Sequence, residues 1–185
     1  MPYIEVIPDE AAEGELREVY DEIKEKRGKL SSVLMIQSLN PRSIRKHMDL
    51  YLTTMFGKSP LKRAQREMVA VVVSAANKCP YCIKHHAIAL QHFWKDEAKV
   101  EALVKDYRTA GLSEKDQLLC AFAQQLTRDP SASSPEKPKQ MRAAGITDRE
   151  IHDTALVTAY FNFVNRMVLG LGVQLEANAG GYAYD

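Results

Sequence analysis

The 185-residue chain has little of several things, and each shortage narrows what it can be. It holds only three cysteines, too few and odd in number for the disulfide framework of a small secreted scaffold. It has no surplus of either charge, because 25 Lys plus Arg against 24 Asp plus Glu leave a formal net charge of +1. No basic block breaks that balance, so the electrostatic footprint of a nucleic-acid binder is missing. No apolar run approaches the roughly eighteen residues of a membrane helix. The opening "MPYIEVIPDEAAEGEL" carries neither a basic leader nor an apolar stretch of signal-peptide length. The expectation is a soluble, cytoplasmic protein without nucleic-acid or membrane partners. Its length suits a single domain over 1–185, with a helical arm at 1–30, and suffices for a sizeable core.

What the chain does have is helical periodicity. In "DEAAEGELREVYDEIKEKRG", Leu16, Val19, Tyr20 and Ile23 recur at helical spacing, acids come first, bases last, and Gly28 stops the run. This predicts an amphipathic arm, suited to covering a neighbouring subunit. Asn40–Pro41 reads as a cap and first turn opening a helix with Ile44, Met48 and Tyr51 on one face, and Ser59–Pro60 reads as a repeat of that device. "VAVVV" alone would suit a buried strand, but the apolar pattern runs past twelve residues without a turn signal, which predicts a buried helix. Pro80 opens a helix to about Trp94, Ser113 caps another, and "DPSASSPEKPKQ" reads as a surface loop before a short helix around "KQMRAAG". Thr147 and Glu150 form a capping box for a long final helix. With no strand alternation to set against this, the fold class is all-α.

The chemistry gathers in "NKCPYCIKHH", residues 77–86. With Pro80 in the first turn, Cys79 sits at the helix cap, Cys82 one turn in, and His86 one turn beyond. A helix start brings such sulfurs within disulfide reach. The helix terminus favours Cys79 as the thiolate. His86 favours Cys82, lying about 6 Å along the axis from it and about 10 Å from Cys79. Because proton transfer needs hydrogen-bond reach, the histidine decides for Cys82, and Cys79 becomes the resolving partner. Upstream, Glu67 is the last charge before the uncharged run "MVAVVVSAAN" and needs a partner in a buried helix. If the helices on either side of the cluster fold back as a hairpin, Glu67 and His86 come level to within about 4.5 Å, a gap that a side chain or one water spans. Glu67, His86 and Cys82 then form a proton relay ending on a thiol. Burial raises the carboxyl pKa, and the imidazole opposes that rise.

Glu67, eleven residues, "CPYC", three residues and His86 together resemble the motif of the alkylhydroperoxidase D-like members of the carboxymuconolactone decarboxylase superfamily. The segment Tyr160 to Glu176, "YFNFVNRMVLGLGVQLE", resembles its peroxidase-related branch, so the likeness spans roughly residues 40–176. The resemblance implies an alkylhydroperoxidase D-like helical bundle with the CxxC at the start of a core helix, assembly into trimers or hexamers, and reduction of hydroperoxides without a cofactor. It implies that Cys82 becomes a sulfenic acid, Cys79 closes a disulfide, and His86 and Glu67 carry protons. An external dithiol, lipoyl-type or thioredoxin-like, restores the pair. Decarboxylases of the superfamily lack the cysteine pair, which disfavours decarboxylation. Some peroxidase members carry a histidine where this chain has Tyr81, and His85 is not a ready substitute.

Competing readings stand beside this one. The same CxxC would serve a non-catalytic redox sensor or a disulfide oxidoreductase. A structural zinc site would need four ligands, and paired ligands beyond Cys79, Cys82 and His86 are absent. Glu67 could merely pair with Lys62, Arg63 or Arg66. His85 reads as solvent-facing or pocket-lining and Cys120 as a core thiol, while His47, His92 and His152 have no visible partners. Tyr160, Phe161 and Phe163 read as core. Asn165 and Arg166 are polar in an apolar helix, so Arg166, if buried, needs a partner at an interface or beside the site.

Overall fold

The computed structural model describes residues 1–176 together with Ala179 and Gly180. The single-domain expectation for 1–185 also takes in residues 177, 178 and 181–185, which lie outside the described residues. Nine α-helices follow in order: α1 (Gly14–Arg27), α2 (Ser32–Met35), α3 (Pro41–Phe56), α4 (Arg63–Ala76), α5 (Pro80–Trp94), α6 (Glu97–Lys105), α7 (Glu114–Arg128), α8 (Glu136–Ala143) and α9 (Asp148–Leu171), with no strand among the described residues.

The caps read from sequence do the expected work. Gly28 ends α1 at φ 78°, where its N–H bonds the Lys24 carbonyl. Asn40 accepts the Ser43 N–H ahead of Pro41, Ser113 accepts from Asp116, and Thr147 and Glu150 satisfy one another's backbone N–H groups. α4 is the central element, packed against α5, α7 and α9. Every residue from Arg66 to Ser74 on it is buried, which is why its sequence is apolar all round rather than striped. Leu16, Val19, Tyr20 and Ile23 of α1 cover Ile44 and Met48 of α3, so the stripe of the arm is used within the chain.

Two expectations need correction. Ser59–Pro60 does not open a helix: α4 starts at Arg63, while the Ser59 hydroxyl donates to Asp153 Oδ2 at 2.6 Å and accepts the Leu61 N–H. The loop at 129–140 is shorter than its prolines suggest, because α8 begins at Glu136 and carries Pro138 in its first turn, where a missing N–H loses no helical bond. Two helices escaped the periodicity reading. α2 is a single turn, and α6 is nine residues capped by Asp96, too short for a clear period.

Candidate active site

The tight α4–α5 connection builds the site. Asn77 ends α4, Lys78 takes a left-handed φ of 55°, and the Cys79 N–H returns to the Ser74 carbonyl at 2.9 Å. The chain then enters α5 with Cys79 as its cap and Pro80 at its first position. Both thiols are reduced and buried, Cys79 at 0% exposure and Cys82 at 2%. Their sulfurs are hydrogen-bonded to each other. That bond and the Cys82 and Tyr81 backbone N–H groups at the helix start hold the Cys79 thiol below its ordinary pKa, although burial opposes them. The same bond, with burial, pushes the Cys82 thiol up; Asn165 contributes a hydrogen bond in the other direction. In the reduced pair Cys82 therefore keeps the proton and Cys79 is the easier thiolate.

Access runs the other way. A cleft of about 760 Å³, counted out to bulk solvent, reaches Cys82 beside Glu67, His86, Tyr51, Tyr160 and Phe161, while Cys79 lies behind Cys82 and outside its lining. Of the two cysteines, Cys82 is the one that lines the cleft. Cys120 is remote from this: fully buried in α7, with burial pushing its thiol far up, it is the core thiol expected.

The hairpin brings Glu67 and His86 into direct contact, with no intervening water needed. His86 Nδ1 lies 2.6 Å from Glu67 Oε2, and the other carboxylate oxygen pairs with Arg63. Glu67 is fully buried. Burial raises its pKa, but the charge and hydrogen bond of His86, and then those of Arg63, outweigh this and hold the carboxyl below its ordinary value. The pairing with Arg63 and the contact with His86 coexist, and Arg66 instead bonds the Leu61 and Met55 carbonyls. A carboxylate only accepts, so Nδ1 of His86 carries a proton and Nε2 is the ring nitrogen turned away from Glu67. Phe161 packs edge-on against the imidazole at 4.5 Å and holds its plane.

Several residues gain roles that spacing could not show. Asn165 is fully buried, accepts from Asn77, donates to Ser74 and bonds Cys82, so it belongs to the site. Arg166 is exposed and bonds only the Asn162 carbonyl groups of its own helix, so it is not a buried cation in need of a partner. Glu176 accepts from Tyr81 at 2.7 Å and from the Ser32 N–H at 2.6 Å, and pairs with His85 at 2.9 Å. Burial raises the Glu176 pKa, but His85, the Ser32 N–H and Tyr81 together hold it down at about 2. His85 is pocket-lining, and Tyr81 anchors the chain after α9. His47 is not without partners either: it is buried between Gln37 (2.7 Å) and Tyr160 (2.8 Å) and lines the cleft. Tyr160 and Phe161 are buried as expected, while Phe163 is exposed. Among the described residues no group of three or more His, Cys, Asp or Glu side chains is placed to hold a metal ion, and no helix is long and apolar enough to cross a membrane.

The chain is thus an all-helical bundle with a CxxC at the start of a core helix and a Glu–His pair beside it. Residues 43–125 match the carboxymuconolactone decarboxylase family. A peroxidase-related protein from Silicibacter sp. TM1040 is 31% identical, with a TM-score of 0.82 over 96% of this chain and 91% of that one. A peroxidase-related protein from Ralstonia eutropha JMP134, described as an alkylhydroperoxidase AhpD core, superimposes with a TM-score of 0.85 at 24% identity over 95% and 93% of the two chains. The debrominase Bmp8 shares the fold at 21% identity, with a TM-score of 0.73 over 88% and 86%. No curated protein matches the chain. The chain belongs to the carboxymuconolactone decarboxylase family and has the AhpD-like helical fold.

Proposed function

We propose that the protein is a thiol-dependent peroxidase in which Cys82 reduces hydroperoxides, Cys79 resolves the product, and Glu67 and His86 handle the proton. The observation that carries this reading is the split of roles within the pair: Cys82 faces the cleft, and Cys79 lies behind it in hydrogen-bond contact. The first proton of the pair passes to His86 Nε2, and the imidazolium is stabilised by the buried Glu67 carboxylate. Within the remaining S–H···S bond the last proton moves onto Cys79, which places the charge on Cys82. Cys82 then attacks the terminal oxygen of ROOH: the S–O bond forms, the O–O bond breaks, and RO⁻ takes the proton from His86. Cys79 displaces water from the sulfenic acid, closing the disulfide. An external dithiol, lipoyl-type or thioredoxin-like, returns two electrons.

Two further features support the same reading. The cleft is walled by Tyr51, Phe161 and Val164, which suits an apolar carbon body. Leu50 of α3 and Phe163 and Leu169 of α9 are exposed apolar side chains, which fits a trimer or hexamer. The test is turnover: reduced protein, an alkyl hydroperoxide and a dihydrolipoyl donor should consume many equivalents of peroxide. Consumption of one equivalent would make the disulfide a switch, and failure of Cys82 to react would leave only disulfide exchange.

A further inference from the structure

A second hydrogen-bond chain ends in the same cleft, and its direction is determined. The Gln37 side-chain NH₂ donates to the Val33 carbonyl at 2.9 Å, which fixes the orientation of the amide, since the reverse would set oxygen against oxygen. The same NH₂ group lies 2.7 Å from His47 Nδ1, so Nδ1 is the acceptor and carries no proton. Burial holds the imidazole neutral, with its pKa lowered to about 4, and its one proton therefore sits on Nε2. Nε2 lies 2.8 Å from the Tyr160 hydroxyl and donates to it.

Tyr160 thus accepts from His47, and its own O–H must point elsewhere. Among the described residues none accepts that proton. The residue is only 5% exposed, and a buried donor left without an acceptor is unfavourable. Tyr160 lines the cleft that Cys82 also lines, and its hydroxyl is near enough for a Cys82 thiolate to raise its pKa further beyond the effect of burial and of Tyr51. It is a donor that stays protonated, carried by a residue that lines the same cleft as the Cys82 thiol.

We infer that Tyr160, oriented by Gln37 and His47, is the group that binds the reacting oxygens of the substrate: its O–H donates to the leaving oxygen of an organic hydroperoxide as Cys82 attacks the terminal one. This deepens the peroxidase reading and rests on it. As the O–O bond breaks, the alkoxide charge forms against this hydrogen bond, while the net proton still comes from His86. Gln37 and His47 are positioning residues.

The experiment follows loss of the Cys82 thiol in a single turnover with cumene hydroperoxide, and in parallel its alkylation by iodoacetamide, which develops no oxyanion. Tyr160→Phe is expected to slow the peroxide reaction about 10- to 100-fold, the loss of one hydrogen bond to a charged oxygen, and to leave alkylation within about two-fold. Gln37→Glu reverses the chain, so it should slow the peroxide reaction alone and add nothing in a Tyr160→Phe background. Nitrogen-15 shifts of His47 should report the Nε2-protonated tautomer. The opposite tautomer, an unchanged peroxide rate in Tyr160→Phe, or equal losses in both reactions overturns the assignment and leaves the peroxidase reading standing. A wild-type protein inert to cumene hydroperoxide overturns both.

Discussion

Replacing Glu67 by Gln is the sharpest perturbation of this site, because it preserves shape and removes one charge at a fully buried position. The carboxylate accepts from two donors at once, Arg63 and His86. A carboxamide has one accepting oxygen, and it must face Arg63, which only donates. Its NH₂ then faces His86 Nδ1, and the imidazole can keep that contact only by moving its proton to Nε2. The basic nitrogen of the relay is thereby lost. General-base contributions run at about 10²- to 10⁴-fold, so the rate of Cys82 oxidation should fall about 100-fold or more. Stability should fall too, by up to about 3 kcal/mol, since removing one member of a buried pair leaves its partner uncompensated. Because the folded-state pKa of Glu67 is depressed, the difference in stability between wild type and Glu67→Gln is fully present above the ordinary carboxylate range and shrinks as pH falls through it. Stopped-flow thiol oxidation and urea unfolding at several pH values measure both effects. A variant that reacts at the wild-type rate refutes the relay, however much stability it loses.

Other consequences are as direct. Cys82→Ser should abolish peroxide consumption, whereas Cys79→Ser should react once and stop at a sulfenic acid that mass spectrometry detects after dimedone trapping. Burial of neutral His47, with a pKa of about 4, favours protonation of the unfolded chain, so about 3 kcal/mol of stability should disappear between pH 6.5 and 4; His47→Leu should flatten that slope in pH-dependent unfolding. Glu176→Gln should cost about 3 kcal/mol near neutral pH, from the drop in its pKa to about 2, and the deficit should fade between pH 4.5 and 2. An undiminished deficit at low pH would mean that Glu176 acts through packing rather than charge.

Local rules in the sequence were enough to decide the helical class, the caps at Asn40, Ser113 and Thr147, and the placement of Cys79, Cys82 and His86 along one edge of α5. Each of these depends on residues a few positions apart, where helical geometry leaves little choice. Even Glu67 was legible, since an unpaired carboxylate in an apolar run demands a partner and the hairpin allows only a few. The contacts across long stretches of chain were not legible. Glu176 meets Ser32, Tyr81 and His85, and His47 meets Tyr160, 113 positions away, because the packing of α2, α3 and α9 around α5 brings them together. Asn165 and Arg166 are adjacent letters of similar polarity, yet one is fully buried against the thiols and the other exposed, a difference that only the rotation of α9 against its neighbours decides. The two cysteines divide in the same way: spacing made them a pair, while the packing of the helices puts Cys82 in the cleft lining and leaves Cys79 outside it.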